Sequence, residues 1–459
     1  MKANGIGASV RVSLLIVVSA VALAPADVVE LGGNVYERRE FLVNETREGA
    51  QSRPALCLSG DRAFVVWDGP EPDGSNVLGR VVDLSGNPVA SEIAVPQVQF
   101  AYQQSQCAAV LTDGRFVAGW NYDESSSGPA RDIFARLFSQ TLVPLSDELR
   151  ANAYRSGDRG SPAIVGASDG GFAVTWVGGY GEDPGPPGSA DWIMFRSFDN
   201  NGEPISPADV VIASQPKDSR AQRSPSLARI PAGYVATWRT VNGGVLGQPD
   251  TIAMATLDAD GSVLSSNVVR YGLAQNLDIV TVDSPSVASR PDGSFVVGWK
   301  EARTPYGDPF SEVMIQRFGA AGETIGDPVQ VRYTEDLRID SADLAVAPDG
   351  RILCVWTERE TDGSDDGVYA RWVGADGNLA SDVFRVAIES EGQQRSEGLD
   401  CVDFADDGSF AVVWWGYGPE DDRGVYLTTY QIVPEPAAMT LLVLGGLGLT
   451  RWRGRPSRP

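Results

Sequence analysis

The stretch Asp292-Gly293-Ser294-Phe295-Val296-Val297-Gly298-Trp299 contains the pattern that decides the fold: a tight-turn dipeptide, an apolar run and a tryptophan. Asp-Gly accepts the positive-φ backbone of a short hairpin, and the β-branched and aromatic residues after it favour a strand. Apolar and polar residues do not alternate along this run. The pattern therefore predicts a strand that is buried on both faces of its sheet.

The same pattern recurs along the chain at intervals of 53 to 62 residues. The apolar runs end at Trp67, Trp120, Trp176, Trp238, Trp299, Trp356 and Trp414. In each unit a segment that often starts with Ser-Pro precedes the run, and two further strand-like segments follow it. Self-similarity of this kind indicates a repeat architecture, here with four short antiparallel strands in each unit. We expect the repeated tryptophans to fill the space between neighbouring units.

A sheet that is apolar on both faces needs a neighbour on each side, and sheets arranged around an axis supply both. We therefore predict an all-β chain that forms a seven-bladed β-propeller of four-stranded antiparallel blades over residues 34–432. The last unit ends after its third strand, whereas Glu40-Phe41-Leu42-Val43-Asn44 precedes the first. We expect this N-terminal strand to complete the last blade and close the ring. An open β-solenoid or a pair of sandwiches is the alternative.

The repeats over residues 40–430 resemble tandem propeller-like repeats of large secreted bacterial proteins, which implies the fold and no activity. The chain has 61 Asp and Glu against 37 Lys and Arg, a net charge of -24. Such a charge argues against a nucleic-acid partner. The chain has no histidine, which excludes the His-dependent hydrolases and most zinc and haem sites.

The two ends of the chain have the composition of targeting signals. Residues 1–26 combine Lys2 and Arg11 with a short apolar run and small residues, which predicts a secretory signal peptide. An uncleaved anchor is the alternative. Residues 433–459 contain Pro434-Glu435-Pro436, an uncharged stretch at 437–450 and an arginine-rich tail. An excess of arginine stays on the cytoplasmic side of a membrane.

The order of these three C-terminal features resembles the PEP-CTERM sorting signal of Gram-negative bacteria. The resemblance implies a membrane-spanning C-terminal helix before processing and an exosortase-type processing enzyme as partner. It also implies delivery to the cell envelope, the cell surface or the extracellular matrix. A plain C-terminal anchor is the alternative.

Loops between the second and third strands vary most and contain aromatic residues outside the repeat pattern: Tyr122, Tyr180, Tyr306, Trp415 and Tyr417. Aromatic rings on loops of a rigid scaffold suit carbohydrate or protein ligands, and ordinary loop packing is the alternative. We expect a non-catalytic, exported binding module, with surface polysaccharide or protein as its partner. The alternative is a secreted carbohydrate-active enzyme that uses carboxylates at the propeller mouth.

The same loops contain acidic residues that are candidate Ca²⁺ ligands, because Ca²⁺ is bound by oxygen. They are Asp362, Asp365, Asp366, Asp421 and Asp422, beside Glu420. Solvated charge is the alternative, and Ca²⁺ is the one candidate cofactor.

Two further sets of residues give structural expectations. Cys57 and Cys107, and likewise Cys354 and Cys401, occupy successive blades. Their distances from the repeat tryptophans suggest facing side chains and two inter-blade disulfides, with free buried thiols as the alternative. Arginines in the third strands are expected to be a repeated pairing group, with an anion-binding ring as the alternative: Arg80, Arg136, Arg196, Arg317 and Arg371.

Overall fold

A computed structural model describes residues 27–434, apart from gaps at 72–73, 99–102, 124–130, 155–158, 179–188, 207, 217–220, 242–248, 276–277, 304–309, 336–337, 360–364, 389–390 and 397–399. The predicted signal peptide and residues 435–459 of the predicted sorting signal lie outside the described residues. Within the described ranges, no helix is long and apolar enough to cross a membrane.

The described chain is all-β and forms a seven-bladed propeller of antiparallel sheets, as predicted. Two N-terminal strands, β1 (Asp27–Leu31) and β2 (Asn34–Leu42), precede the first blade. Blade 1 contains β3 (Ser52–Ser59), β4 (Arg62–Glu71), β5 (Gly74–Asp83) and β6 (Ile93–Ala94); blade 2 contains β7 (Gln103–Val110), β8 (Phe116–Asp123), β9 (Arg131–Phe138) and β10 (Leu149–Arg150). Blade 3 contains β11 (Arg159–Gly166), β12 (Phe172–Gly178), β13 (Ser189–Phe198) and β14 (Val210–Pro216).

The remaining blades follow in the same order along the chain. Blade 4 contains β15 (Ala221–Ile230), β16 (Gly233–Val241), β17 (Thr251–Leu257) and β18 (Val263–Tyr271). Blade 5 contains β19 (Leu273–Gln275), β20 (Asp278–Ser289), β21 (Phe295–Arg303), β22 (Ser311–Phe318) and β23 (Thr324–Thr334). Blade 6 contains β24 (Ile339–Val346), β25 (Ile352–Arg359), β26 (Asp366–Val373) and β27 (Phe384–Arg385); blade 7 contains β28 (Gln394–Arg395), β29 (Val402–Phe404), β30 (Phe410–Gly416) and β31 (Gly424–Ile432).

The N-terminal segment pairs with the last strand of the chain. Strand β2 runs antiparallel to β31 from the pair Tyr36–Ile432 to the pair Leu42–Tyr426. The amide of Val43 continues the ladder by donating to the carbonyl of Val425 over 2.8 Å. This strand starts earlier than the predicted residues 40–44, and β1 pairs with its outer side as an additional strand.

The repeat tryptophans are buried between the blades, as the sequence predicts. Six of them are at most 1% exposed, and Trp238 is 5% exposed. Some of the indole N–H groups have buried acceptors: that of Trp67 donates to Gln51 over 2.7 Å, and that of Trp414 donates to Thr428 over 2.9 Å. Because each blade has a joint on either side, large rings cover both faces of the second strand in each blade, which accounts for the apolar composition of these strands.

The innermost strands contain a repeated irregularity. Non-glycine residues with φ between 49° and 56° occupy the matching position in five blades: Arg53, Ser105, Ser161, Ser224 and Ser284. In blade 7 the residue with positive φ is Asp400, which lies one position later in the register. In the other five blades the ladder shifts register at the matching position, for example between Gly160 and Ala163. The Ser-Pro motif therefore marks a β-bulge inside the first strand rather than its start. Proline is tolerated at such a bulge because it has no N–H to contribute to the ladder.

Arginines in the third strands hold neighbouring blades together. The guanidinium of Arg371 donates to the carbonyl of Ser381 in its own blade and to that of Val331 in blade 5, both over 2.9 Å. The matching arginines donate in the same way to the preceding blade: Arg136 to Val95, Arg196 to Ala151, and Arg80 to Val43 of the N-terminal segment. These four arginines act on backbone carbonyls, as a pairing group should.

Arg317 is an exception to the predicted set. Gln316, not Arg317, pairs with the residue two positions before the repeat tryptophan, which is the position that Arg371 occupies in blade 6. Arg317 therefore points to the opposite face, where it donates to the carbonyl of Ala375 in the next blade. The grouping of Arg317 with the other four was wrong by one residue.

We expect Arg371→Met to lower the free energy of unfolding by about 2 kcal/mol, because it leaves two carbonyls without their charged donor. Arg47→Met is the matched control: Arg47 is 53% exposed and, among the described residues, pairs with the surface residue Glu420 alone, so its loss should cost about 0.5 kcal/mol or less. Urea unfolding of both variants measures the difference. Equal losses would show that the inter-blade bonds of Arg371 do not hold the blades together.

Candidate functional site

The propeller has two distinct faces. The hairpin face carries the turns between first and second strands, including Asp407-Gly408, and the loop face carries the connections between second and third strands. The chain leaves the propeller on the hairpin face, because the amide of Ile432 donates to the hydroxyl of Ser409 over 3.0 Å, next to that turn. The predicted sorting signal follows directly.

A central cavity of about 530 Å³ runs between the innermost strands of all seven blades. Small and apolar residues form much of its wall, among them Ala109, Ala228 and Ala345. Blade 7 adds acidic side chains to this wall, including Asp400 and Asp403. A third aspartate, Asp343 on β24 of blade 6, lies outside this wall and faces the joint with blade 5, beside Ser286 and Gly298.

Two of these carboxylates are fully engaged with backbone and hydroxyl donors from neighbouring blades. Asp343 accepts from the hydroxyl of Ser286 in blade 5 over 2.6 Å and from the amide of Cys401 in blade 7 over 2.8 Å. Asp403 accepts from the amide of Leu58 in blade 1 over 2.8 Å. They therefore link four consecutive blades around the axis. Burial nevertheless raises the pKa of Asp343, and it raises that of Asp403 to about 6.

Asp400 has no such compensation. Its Oδ2 atom is buried and has no hydrogen-bond partner among the described residues. Burial, and then the negative charges of Asp343 and Asp403, raise the pKa of Asp400 well above its ordinary value. A buried carboxyl that is unpaired and surrounded by like charge costs stability, and such groups concentrate at functional sites.

A second candidate site lies on the loop face, at the joint of blades 6 and 7. The ring of Trp415 is half-buried, and the guanidinium carbon of Arg395 lies 6.0 Å from the ring centroid. Arg395 is in turn fixed by Asp366 of blade 6 at 2.6 Å. The exposed ring of Tyr417 follows two residues later. The arrangement is an aromatic surface with a guanidinium held at its side.

The other predicted aromatic residues do not join this site. Tyr122 is half-buried and packs edge-on against Phe134 at a centroid distance of 5.8 Å, which is ordinary loop packing. Tyr180 and Tyr306 lie outside the described residues.

The described acidic residues of these loops are either paired or exposed. Asp366 is paired with arginine, and Asp421 accepts from the side-chain amide of Asn44 at 3.1 Å and from the backbone of Arg423 at 3.0 Å. Asp365 and Asp422 are exposed, and Asp362 lies outside the described residues. In the part of the chain that the structure describes, no three His, Cys, Asp or Glu side chains form a group that could hold a metal ion. Among the described candidates, nitrogen donors thus occupy the carboxylates of Asp366 and Asp421.

All four cysteines are buried free thiols, so the two predicted disulfides are not formed. Cys57 pairs with Phe64 across a two-residue turn, whereas Cys107 pairs with Gly119 and its blade has a five-residue turn. The three-residue difference lies in the turn and does not reverse the face of the strand. Each thiol therefore points to the next blade.

Cys354 and Cys401 fail to meet for a similar reason. Cys354 packs between blades 5 and 6 beside Val313 and Ile315, and so points away from blade 7. Cys401 belongs to the core cluster of blades 6, 7 and 1.

Sequence reasoning missed a charged pair at the loop-face end of blade 1. Asp68, the residue after the first repeat tryptophan, lies 2.6 Å from Arg53 and is only 4% exposed. Burial raises the pKa of Asp68 to about 7 although the arginine opposes the shift. Its position directly after the tryptophan, where other blades have Asn121 or Val177, was the available signal.

No protein-family model matches this chain, and no curated protein matches it. The solved structure of the polysaccharide lyase Uly1 is similar at 11% identity with a TM-score of 0.50, covering 83% of this chain and 90% of the lyase. A protein of unknown function from Dyadobacter fermentans has 10% identity and a TM-score of 0.48, over 86% of this chain and 99% of its own. The α-L-arabinanase of Penicillium chrysogenum has 12% identity and a TM-score of 0.41, over 71% and 92%. At these identities the likeness shows the fold alone.

We expect Asp400→Asn to stabilise the protein at pH 8 by about 1–3 kcal/mol, because it removes an unpaired buried charge and keeps a residue that tolerates positive φ. The folded state holds the Asp400 proton more tightly than the unfolded chain, so wild-type stability falls as pH rises above about 4. The gain should therefore shrink toward pH 4. Denaturant unfolding across this pH range tests it, with Asp406→Asn as the control on an exposed residue of the same cavity. A loss of stability at pH 8 would contradict the assignment.

Proposed function

We propose that this chain is an exported, non-catalytic module that binds carbohydrate at the bacterial cell surface through the loop face of blades 6 and 7. The observation that carries the proposal is the Trp415 ring with Arg395 fixed beside it by Asp366. The site is on the face opposite the exit of the chain, where a surface polysaccharide has access.

The chemistry of this site fits a sugar ligand. A sugar ring presents C–H groups that pack on an indole face, and a guanidinium donates several hydrogen bonds in a fixed geometry to hydroxyl or carboxylate oxygens. Both partners are held by strand pairing, since Arg395 lies directly opposite Trp415 in the ladder of β28 and β30. Such pre-organisation reduces the entropy that binding must otherwise overcome.

The comparison with Uly1 supports the class of ligand. That protein, which has the same fold, is a polysaccharide lyase. We propose that this chain also contacts polysaccharide, but we do not propose that it performs the lyase reaction.

We expect Trp415→Ala to weaken polysaccharide binding about tenfold or more, because a central aromatic anchor contributes most of the energy of such a site. Tyr271→Ala is the matched control: Tyr271 is 61% exposed on the outer strand of blade 4, far along the ring. An array of neutral, uronate-containing and sulfated polysaccharides identifies a ligand, and titration calorimetry then compares the two variants. Equal affinities of both variants would reject this site, and no binding on the array would reject the function.

A specific observation favours the second candidate, a secreted carbohydrate-active enzyme. Asp68 has a pKa near 7 beside Arg53, and an acid of that pKa suits proton transfer near neutrality. In the same array experiment, release of shortened or unsaturated sugars would favour this function. Loss of that turnover in Asp68→Asn with binding retained would assign the acid.

We also propose that the Pro434–Pro436 motif directs this module to the envelope as an exosortase substrate, with the loop face outward. The support is the position of the last strand: Ile432 lies beside the Asp407-Gly408 hairpin, two residues before the motif. A membrane-spanning segment after Pro436 would hold the hairpin face toward the bilayer and leave the loop face exposed.

Single cysteines on the two faces test this orientation in intact cells. Pro419→Cys on the loop face should react with an impermeant maleimide faster than Thr112→Cys on the hairpin face, because the membrane shields the latter. Both residues are exposed in the free propeller, and the native thiols are buried. Purified protein, in which both sites should react alike, is the control. Faster labelling of Thr112→Cys in cells would refute the orientation.

A further inference from the structure

The outermost strand of blade 4, β18, forms an open sheet edge. It pairs with β17 on one side, and no described strand pairs with its other side. Its sequence, Val263-Leu264-Ser265-Ser266-Asn267-Val268-Val269-Arg270-Tyr271, contains no proline, lysine or acidic residue. The N–H and C=O groups of an edge strand can pair with a further strand, and proteins usually block such edges with proline, charge, short strands or covering segments.

The other blades block their outer edges. Blades 1, 2 and 6 end in strands of two residues each, β6, β10 and β27. In blade 5, β23 is interrupted by Gly326-Asp327-Pro328, and at the edge of blade 7 β1 carries the exposed acids Asp27 and Glu30. In blade 3, residues 210–213 of β14 are buried or half-buried. Among the described outer strands, β18 alone is long, exposed and unblocked.

Strand β18 also exposes apolar side chains. Val263, Leu264, Val268 and Tyr271 are between 42% and 61% exposed, and no other described strand exposes as many large apolar residues. Single exposed apolar residues are ordinary on protein surfaces, whereas a group of them marks an interaction site. The edge thus offers backbone hydrogen-bonding groups and apolar side chains to one partner.

We propose that two copies of this chain form a dimer by antiparallel pairing of their β18 strands. With the two-fold axis at Asn267, Val263 of one copy lies opposite Tyr271 of the second copy, and this apolar pair occurs twice. Apolar pairs directly opposite each other stabilise an antiparallel ladder. A pair of identical strands also covers both open edges at once and closes the assembly, because the contact is isologous.

Charge favours this edge over other surfaces as the contact between two copies. The chain has a net charge of -24, so most surfaces of two copies repel each other. Strand β18 carries a single charge, that of Arg270, whose Nε and Nη2 atoms lie 2.6 and 2.9 Å from the carboxylate of Glu301 in blade 5. Across the proposed axis, the two Arg270 residues are about 20 Å apart along the ladder. The pairing therefore brings no like charges together.

The proposed dimer has its two loop faces pointing in opposite directions, because antiparallel strands run in opposite directions between the faces. On the proposed membrane orientation, this arrangement suits chains that have been released from the membrane rather than neighbours held in one membrane. Each dimer would carry two Trp415 sites on opposite sides, so one dimer could link two polysaccharide chains.

Sedimentation equilibrium of the purified chain tests the proposal. The interface of one strand pair is small, so we expect a reversible dimer that is half-associated between about 1 and 100 µM. Val268→Lys places two like charges next to the axis and should weaken the dimer about tenfold or more. Val143→Lys is the matched control, because Val143 is 55% exposed in the connection between β9 and β10 of blade 2. It should leave the association unchanged.

Cross-linking locates the contact. Asn267→Cys lies at the proposed axis beside its counterpart, and the native thiols are buried, so a short bis-maleimide should join two copies of this variant. Val143→Cys should stay monomeric under the same treatment. A purified chain that remains monomeric up to about 300 µM would overturn the proposal. Equal weakening by Val268→Lys and Val143→Lys would also overturn it, as would a β18 edge that binds a different protein without self-association.

Discussion

The need to cover both faces of every blade governs the structure. The second strands are apolar on both sides, and a buried tryptophan at each joint covers them. No single sheet can bury such strands, so each blade is stable only between two others. The constraint reaches the ends of the chain: β2 supplies the outer strand beside β31, and Arg80 fixes Val43 at the end of this segment to blade 1. Arginine acts here as an inter-blade hydrogen-bond donor, and its charge serves buried carbonyls rather than an external anion.

The same constraint creates the acidic cavity. Sheets that meet around an axis bring their innermost strands close together, so side chains that are remote in sequence share one space. Asp403 is tolerated there because the amide of Leu58 in the adjacent blade donates to its carboxylate. Asp400 lies in the same space without that support. Local sequence does not predict this difference between Asp400 and Asp403, which are only three residues apart.

Sequence spacing was sufficient to predict the number of blades, the burial of the tryptophans and the strand order, because these follow from periodicity and turn chemistry. Details that depend on the length of individual turns could not be predicted. Counting back from the tryptophan placed Cys57 and Cys107 on opposite faces, but the extra residues belong to the longer turn of blade 2. Counting also grouped Arg317 with the four inter-blade arginines, although its register differs by one residue. Similarly, the sequence did not predict that Asp366, a candidate calcium ligand, pairs with Arg395 of the next blade.

Comparing the repeats distinguishes packing residues from candidate functional residues better than residue type alone does. Positions that every blade needs have similar residues, and their energetic role is visible in each joint. Where a residue in one blade differs from its equivalents in the other blades and lowers stability, packing does not explain the difference. Trp415 is such a departure: a second indole directly after the repeat tryptophan, half-buried against the core of the joint, with its N–H buried and without a hydrogen-bond partner among the described residues. Trp415 lies in blade 7, whose sheet also contains β2 of the N-terminal segment, so a ligand that binds the folded chain there would stabilise this blade.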